Sequence, residues 1–474
     1  MLFNSIPFLV FLLLFFPAWS LLPRRFRNAF MLAGSYFFYG WWDWRFCGLL
    51  ALSTLVDYFV GAALPRTEDP ARRKRLLLVS LVSNLSILGI FKYLGFFVES
   101  FQALLEALGI HAGLPTLRIV LPVGISFYTF QTLSYTIDIY RGRLRPTGNL
   151  LDFALFVSFF PQLVAGPIER AADLLPQLVK VPRTRPGDLK KGIELITMGM
   201  IMKVLLGDQL APLVDPVFRA PEAFSSLELL RGLLFFALQI YCDFSGYSLI
   251  ARGTARLFGV DVMINFRQPY LSLNVTDFWR RWHISLSSWL KDYLYIPLGG
   301  NRKGKARTYF NLMVTMLLGG LWHGANWTFV VWGGLHGLYL AAHKLMLRGR
   351  KAETRIRAGS PAEAAWAVLR VGFTFGLVLL TWLFFRSPDF HTAFTMLEGI
   401  LSFQGAPDPK IVLELLLVGG VVLGIDLLLY FLDREEILGL IPSFLRPGVL
   451  AGIWVVVLAH LVFAREIPFI YFQF

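Results

Sequence analysis

Of the seven histidines in the 474-residue chain, two stand where an imidazole could move a proton. His323 closes the stretch MLLGGLWH between two apolar segments, 308–322 and 326–343. A titratable group at membrane depth is costly and usually faces a cavity or a bundle interior. Partial desolvation biases such a ring toward its neutral form, which suits a general base. The plainer role is a hydrogen bond to a neighbouring carbonyl that locks packing, and spacing alone leaves both open. His283, in WRRWHISLS, could enter the same cavity from below, or simply anchor among interfacial aromatics. His336 and His343 lie seven apart on one helix face and read as packing or interfacial residues. His111, His391 and His460 fall in or beside expected external regions.

The elements that must position these rings are apolar helices. The chain is 56% hydrophobic, 15% aromatic and only 16% charged, with a mean hydropathy of +0.60, well above the roughly 45–50% apolar content of soluble domains. Apolar runs recur from 6–22 to 447–466, about twelve in all, and most approach the ~20 residues of a helical span. The expected architecture is an all-α polytopic membrane protein with about 10–12 transmembrane helices plus re-entrant or in-plane helices. It reads as one membrane-embedded domain over 1–474: N-terminal helices at 1–140, a central core at 141–345 and C-terminal helices at 346–474. The first run has no basic flank and no small-residue cleavage site, so it reads as a retained span.

The net charge of +14 follows topology and does not point to nucleic acid. Arg24, Arg25 and Arg27, then Arg66 to Arg75, then Arg141, Arg143 and Arg145 occupy alternate loops. Under the positive-inside rule this puts both termini outside. Cys47 and Cys242 form no disulfide framework, no metal-ligand spacing or nucleotide loop occurs, and no resident cofactor or metal is expected.

Two regions break the run of simple spans. Both flanks of 145–190 read as cytoplasmic although 150–166 is apolar, which implies a re-entrant hairpin or an interfacial helix. In 265–307, tryptophans, tyrosines and arginines interleave, as in helices lying in the membrane interface with Trp279, Trp282, Trp289, Tyr293 and Tyr295 at headgroup depth. Irregular backbone at that depth is tolerated where protein or a water-filled cavity satisfies it, so a cytoplasm-facing cavity is expected. The apolar run 308–322 corresponds to roughly 22 Å of helix, too short to cross about 30 Å of hydrocarbon.

The segments NVTDFWRRWHISLSSWLKDYLYIPLGGNRKG and GGLWHGANWTFVVWGGLHG resemble the signature of the membrane-bound O-acyltransferases, in particular their alginate O-acetyltransferase-like bacterial branch. The likeness extends to GISFYTFQTLSYTIDIYRG at 124–142, FFPQLVAGPIER at 159–170, QIYCDFSGYSLIARG at 239–253 and the closing FIYFQF. It implies a ring of tilted helices with a cytosolic and an outer funnel, His323 as the catalytic histidine and His283 as the second polar position. Leu249 stands where relatives often carry aspartate, leaving Asp243 as the nearby carboxylate.

The reaction so implied is acetyl transfer from cytosolic acetyl-CoA, with neutral His323 taking the proton of an attacking hydroxyl and His283 orienting the donor or supporting the oxyanion. An acetyl-histidine relay is a variant. Arg280, Arg281, Lys291, Arg302, Lys303 and Lys305 could bind the phosphates of CoA, although positive-inside residues need no ligand. Trp322, Asn326 and Asp243 could shape the tunnel or be structural. The resemblance further implies a bacterial inner-membrane location, an extracytoplasmic polysaccharide acceptor and a periplasmic esterase-like partner docking on outer loops or on FIYFQF. Acyltransferases of lipids or proteins are the nearer alternatives. A transporter would be expected to show internal repeats, and none is visible.

Overall fold

The computed structural model describes the whole chain except residues 112, 114–118, 182, 357–358, 406–407, 464–466 and 473–474, with the backbone alone at 472. Part of the stretch 100–117, expected to be extracytoplasmic, and the last two residues of FIYFQF thus lie outside the described residues. Among those described, all regular structure is helical, and the chain is a multi-pass membrane protein. Six continuous helical stretches are long and apolar enough to span, at 24–66, 70–107, 226–257, 361–386, 409–432 and 446–463. Of the other apolar runs, some fold as shorter or broken helices and two as unbroken helices of 20 and 21 residues, at 304–323 and 327–347.

One compact unit comprises Met1–Ile193 with Ala251–Met263. It contains α1 (Ile6–Leu21), α2 (Arg24–Asp43), α3 (Cys47–Ala63), α4 (Pro70–Leu88), α5 (Leu94–Ala107), α6 (Ile125–Tyr140), α7 (Leu150–Ser158), α8 (Phe160–Leu163), α9 (Ala171–Val179) and the start of α10 (Pro186–Met200). Its spans are tied by buried polar groups. Asp57 of α3 accepts from Ser80 Oγ at 2.5 Å and from Asn84 Nδ2 at 2.8 Å, both on α4, while Ser80 meets Thr136 of α6 at 2.9 Å. In hydrocarbon such side chains hold helices together where the hydrophobic effect does not. The expected non-spanning segment at 150–166 is present: α7 has nine residues and α8 four, about 14 Å and 6 Å of helix, broken at Phe159 where ψ turns to 105°. Phe160 packs edge-on to Phe11, Phe15 and Phe258, so the break is filled with rings.

The second unit, Glu194–Ile250 with Ile264–Phe474, carries the remaining elements. These are α11 (Asp208–Arg219), α12 (Ser226–Leu257, whose last turns belong to the first unit), α13 (Val275–Arg281), α14 (Ile284–Leu290), α15 (Gly304–His323), α16 (Trp327–Leu347), α17 (Pro361–Arg386), α18 (Phe390–Leu401), α19 (Pro409–Leu432) and α20 (Arg446–Phe463). Helix starts follow local chemistry. Asp69, Ser360 and Asp408 each accept a backbone N–H from the first turn, and each is followed by proline, which lacks the N–H that would go unpaired there. The most apolar window of α12 is 89% buried and that of α20 only 6%, so α12 is a core helix and α20 presents its surface to lipid.

The in-plane expectation for 265–307 matches what forms there: α13 and α14 have seven residues each and neither can cross. The expectation for 308–322 needs correction. The helix begins at Gly304, so α15 has 20 residues and about 30 Å of length; its length does not stop it crossing. Lys305 and Arg307 belong to its first turn, and an apolar count stopped short of them.

Candidate functional site

His323 is the last residue of α15, where Gly324 turns extended at φ −160°. Asn326 then caps α16, its Oδ1 accepting from Thr328 N at 3.0 Å and its Nδ2 donating to Pro388 O at 2.7 Å. The amide anticipated at the tunnel wall is thus used to start a helix. The hairpin α15–α16 closes backbone against backbone: a Cβ on Gly320 would lie 2.2 Å from Phe329 O, and one on Gly333 2.3 Å from Met316 O. Only glycine permits that approach, and it fixes where α15 ends.

Around His323 the chain builds an aromatic enclosure. Trp322, Trp332, Phe385 and Tyr471 have ring centroids 5.0, 4.9, 5.3 and 5.4 Å from the imidazole. Only 4% of His323 is exposed. Tyr471 comes from the closing FIYFQF, which is held from below: Asp243 Oδ2 accepts the Ile470 N–H at 2.9 Å, and Asp243 Oδ1 pairs with Lys203 Nζ at 2.8 Å. Lys203 also meets Asp208 at 2.6 Å and sits in a π-helical turn, Ile201–Gly207. Asp243, considered as a tunnel residue, serves here to anchor the C-terminal segment.

His283 lies between α13 and α14, fully buried, with φ 43° and ψ 55°. A left-handed conformation costs a residue with a Cβ about 1–2 kcal/mol. The turn is held by Asn265, whose carbonyl accepts Ile284 N–H at 2.9 Å and whose Oδ1 accepts Ser285 N–H at 3.2 Å and Ser285 Oγ–H at 2.9 Å. His283 Nδ1 is 3.1 Å from the same Oδ1. Phe244 packs edge-on at 4.7 Å, Trp322 lies at 5.8 Å and His323 at 6.3 Å between centroids. Burial pushes the His283 imidazole down to about 3, so the ring is neutral. The two histidines singled out from sequence are therefore neighbours in one apolar chamber.

His336 and His343 take the packing roles expected of them. His336 accepts from Trp279 Nε1 at 3.3 Å and meets Thr381 Oγ1 at 3.0 Å, and His343 Nδ1 meets Thr276 at 2.8 Å.

The six basic residues considered for the donor separate. Arg280 and Lys305 line a cleft of about 1480 Å³ together with Lys344, Arg348, Arg350 and Lys351, four cations that the sequence reading did not single out. Arg281 is used internally: it pairs with Asp277 at 3.0 Å, donates to Thr354 O at 2.6 Å and stacks over Tyr430. Lys291, Arg302 and Lys303 are exposed and do not line the cleft. Asn265 and Tyr471 were missed as individual residues. The signal for Asn265 was its position as a lone amide in VMINF, and for Tyr471 there was none beyond the terminal motif.

Residues 141–366 match the family model of the membrane-bound O-acyltransferases. The chain is 44% identical over 409 residues to a probable alginate O-acetylase, AlgI, of Azotobacter vinelandii, covering 85% of this chain and 78% of that one. It is 35% identical over 406 residues to the peptidoglycan O-acetyltransferase of Helicobacter pylori, covering 80% and 75%. A more distant likeness, 26% over 284 residues, joins it to the teichoic acid D-alanyltransferase of Bacillus subtilis, covering 57% and 69%. With the two buried histidines, the polytopic helical fold and these likenesses together, the chain belongs to the membrane-bound O-acyltransferase family and is an O-acyltransferase.

Proposed function

We propose that this enzyme moves acetyl groups from cytosolic acetyl-CoA to hydroxyls of an extracytoplasmic glycan, an exopolysaccharide or cell-wall polymer, through a periplasmic partner protein. The observation that carries the reading is the pairing of two buried imidazoles, 6.3 Å apart, in a chain whose relatives are named for O-acetylation of alginate and peptidoglycan. The enzyme sits in the bacterial inner membrane with both termini outside, as the alternation of basic loops favours.

The donor reading draws support from the spacing of charge and imidazole. Thr308, which lines the basic cleft, precedes His323 by fifteen residues of α15, about 22 Å along the helix. A donor gripped by its phosphates at Arg280, Lys305 and Lys344 must therefore carry its acyl group on a long flexible arm, as coenzyme A does. In the transfer, His323 takes the hydroxyl proton as the oxygen attacks the thioester carbonyl. The C–S bond then breaks, and the proton passes to the departing thiolate, giving ester and free thiol. The aromatic walls exclude water that would hydrolyse the thioester.

Labelled acetyl-CoA supplied to the purified enzyme in nanodiscs, with its partner and a glycan acceptor, tests this. The wild type is expected to transfer label, and His323→Ala to retain binding of CoA but not transfer. Transfer at the wild-type rate by a folded His323→Ala would overturn the role of His323, and no transfer from acetyl-CoA by the wild type would overturn the donor.

A further inference from the structure

The hydrogen bonds around Asn265 determine which nitrogen of His283 carries the proton. Ser285 N–H can only donate, and it points at Asn265 Oδ1 from 3.2 Å, so the amide cannot be turned the other way without setting hydrogen against hydrogen. The opposite end agrees, because Asn265 Nδ2 donates to Ser248 Oγ at 3.1 Å. Oδ1 is therefore an acceptor facing His283 Nδ1 at 3.1 Å. Were Nδ1 unprotonated, two lone pairs would face one another. The other hydrogen in reach, on Ser285 Oγ at 3.4 Å, is already given to Oδ1 at 2.9 Å. Nδ1 must donate, and in a neutral imidazole Nε2 then holds the lone pair. Nε2 is buried and receives no hydrogen bond from any described residue.

We infer that Asn265 is a positioning residue that locks His283 as the Nδ1–H tautomer, so that His283 meets the reactants as a hydrogen-bond acceptor at Nε2 and not as an oxyanion donor. Its partner is a group that offers a hydrogen, the attacking hydroxyl or an amide N–H of the donor's arm. The inference rests on the acyl-transfer reading of the same chamber and deepens it, since a neutral ring with Nδ1 occupied has no hydrogen to give to a developing oxyanion. Ser285 and Ser248 complete the chain by holding both ends of the Asn265 amide. Of the rings packed against His283 (Phe244, Phe266, Trp322 and His323), His323 alone carries a titratable group.

Nitrogen-15 NMR of the histidine-labelled wild type in nanodiscs, with the His283 signals assigned by difference from His283→Asn, reads the tautomer directly. The expected result is a protonated-type Nδ1 and an unprotonated-type Nε2. A protonated Nε2 overturns the inference whether or not any acetyl label is transferred, and if the tautomer is as expected while the wild type transfers none, the donor reading falls alone. Two substitutions then separate positioning from packing. Asn265→Asp keeps the acceptor for Nδ1–H, and kcat is expected to stay within about tenfold while the acid limb of its pH profile moves to higher pH, because the carboxylate favours the imidazolium. Asn265→Leu removes the acceptor, and kcat is expected to fall about 100-fold at little-changed KM. Equal losses in both variants with an unmoved acid limb would reduce Asn265 to a packing residue.

Discussion

Two fully buried histidines, His283 and His336, sit in the same unit and are used in opposite ways. His336 accepts from Trp279, a group that can only donate, so its proton is on Nε2 and goes to Thr381 Oγ1, which passes its own hydrogen to Val378 O. Both nitrogens are spent. His283 gives one nitrogen to Asn265 and keeps the other without a hydrogen bond from described residues. His336 stands inside the regular helix α16 and His283 at a left-handed turn. A buried polar atom left over at a strained backbone position points to function, whereas a satisfied one in a helix points to stability.

The sharpest way to break this contrast is at His323, which completes the chamber. His323→Ala is expected to lower acetyl transfer by about 10²–10⁴-fold with an unchanged melting temperature, measured by label transfer and thermal scan. Gly333→Val, which drives a side chain into Met316 O, displaces the end of α15, and a shift of about 1 Å at a reacting group costs on the order of 100-fold; its turnover and its melting temperature should fall together. His283→Asn tolerates the left-handed turn and should lose activity, about 10–100-fold, with little loss of stability. His336→Ala should do the reverse, losing on the order of 2 kcal/mol of stability through the stranded Trp279 N–H while kcat/KM stays within a few-fold. If His336→Ala proved the more damaging to kcat, the contrast would be inverted.

The smallest effect lies in the other unit. Burial raises the Glu169 carboxyl to about 7 against the hydrogen bond it accepts from Met263 N–H. A folded-state value above the unfolded one means that the stability it contributes is present in full below the unfolded pKa of about 4.5 and is lost as pH rises through 7. Glu169→Gln should therefore flatten the decline of melting temperature between pH 5 and 8 and leave the acid side unchanged.

Much of this was legible in the residues. The apolar runs and the non-spanning character of 265–307 follow from hydrophobicity and interfacial aromatics. The pairing of His283 with His323 was a reasonable expectation because both are titratable groups in apolar surroundings. What misled was counting hydrophobicity as helix length: α15 continues through Lys305 and Arg307 because backbone hydrogen bonding does not stop where side chains become charged. Arg281 and Arg280 are adjacent in sequence, yet one is tied to Asp277 and Thr354 while the other faces the cleft, a distinction set by which side of a seven-residue helix each occupies. Asp243 reads like any acid beside an aromatic run, and its pairing with Lys203 joins residues forty positions apart.

By itself the sequence determined the class of the molecule, its membrane setting and the two histidines, since each of these rests on local composition and on motifs read in one stretch of chain. Only the tertiary structure decided what each histidine has left to offer. A ring nitrogen is free or spent according to partners such as Asn265, Trp279 and Thr381 that lie 18, 57 and 45 residues away, and hydrogen-bond geometry at that separation exists only once the chain is packed.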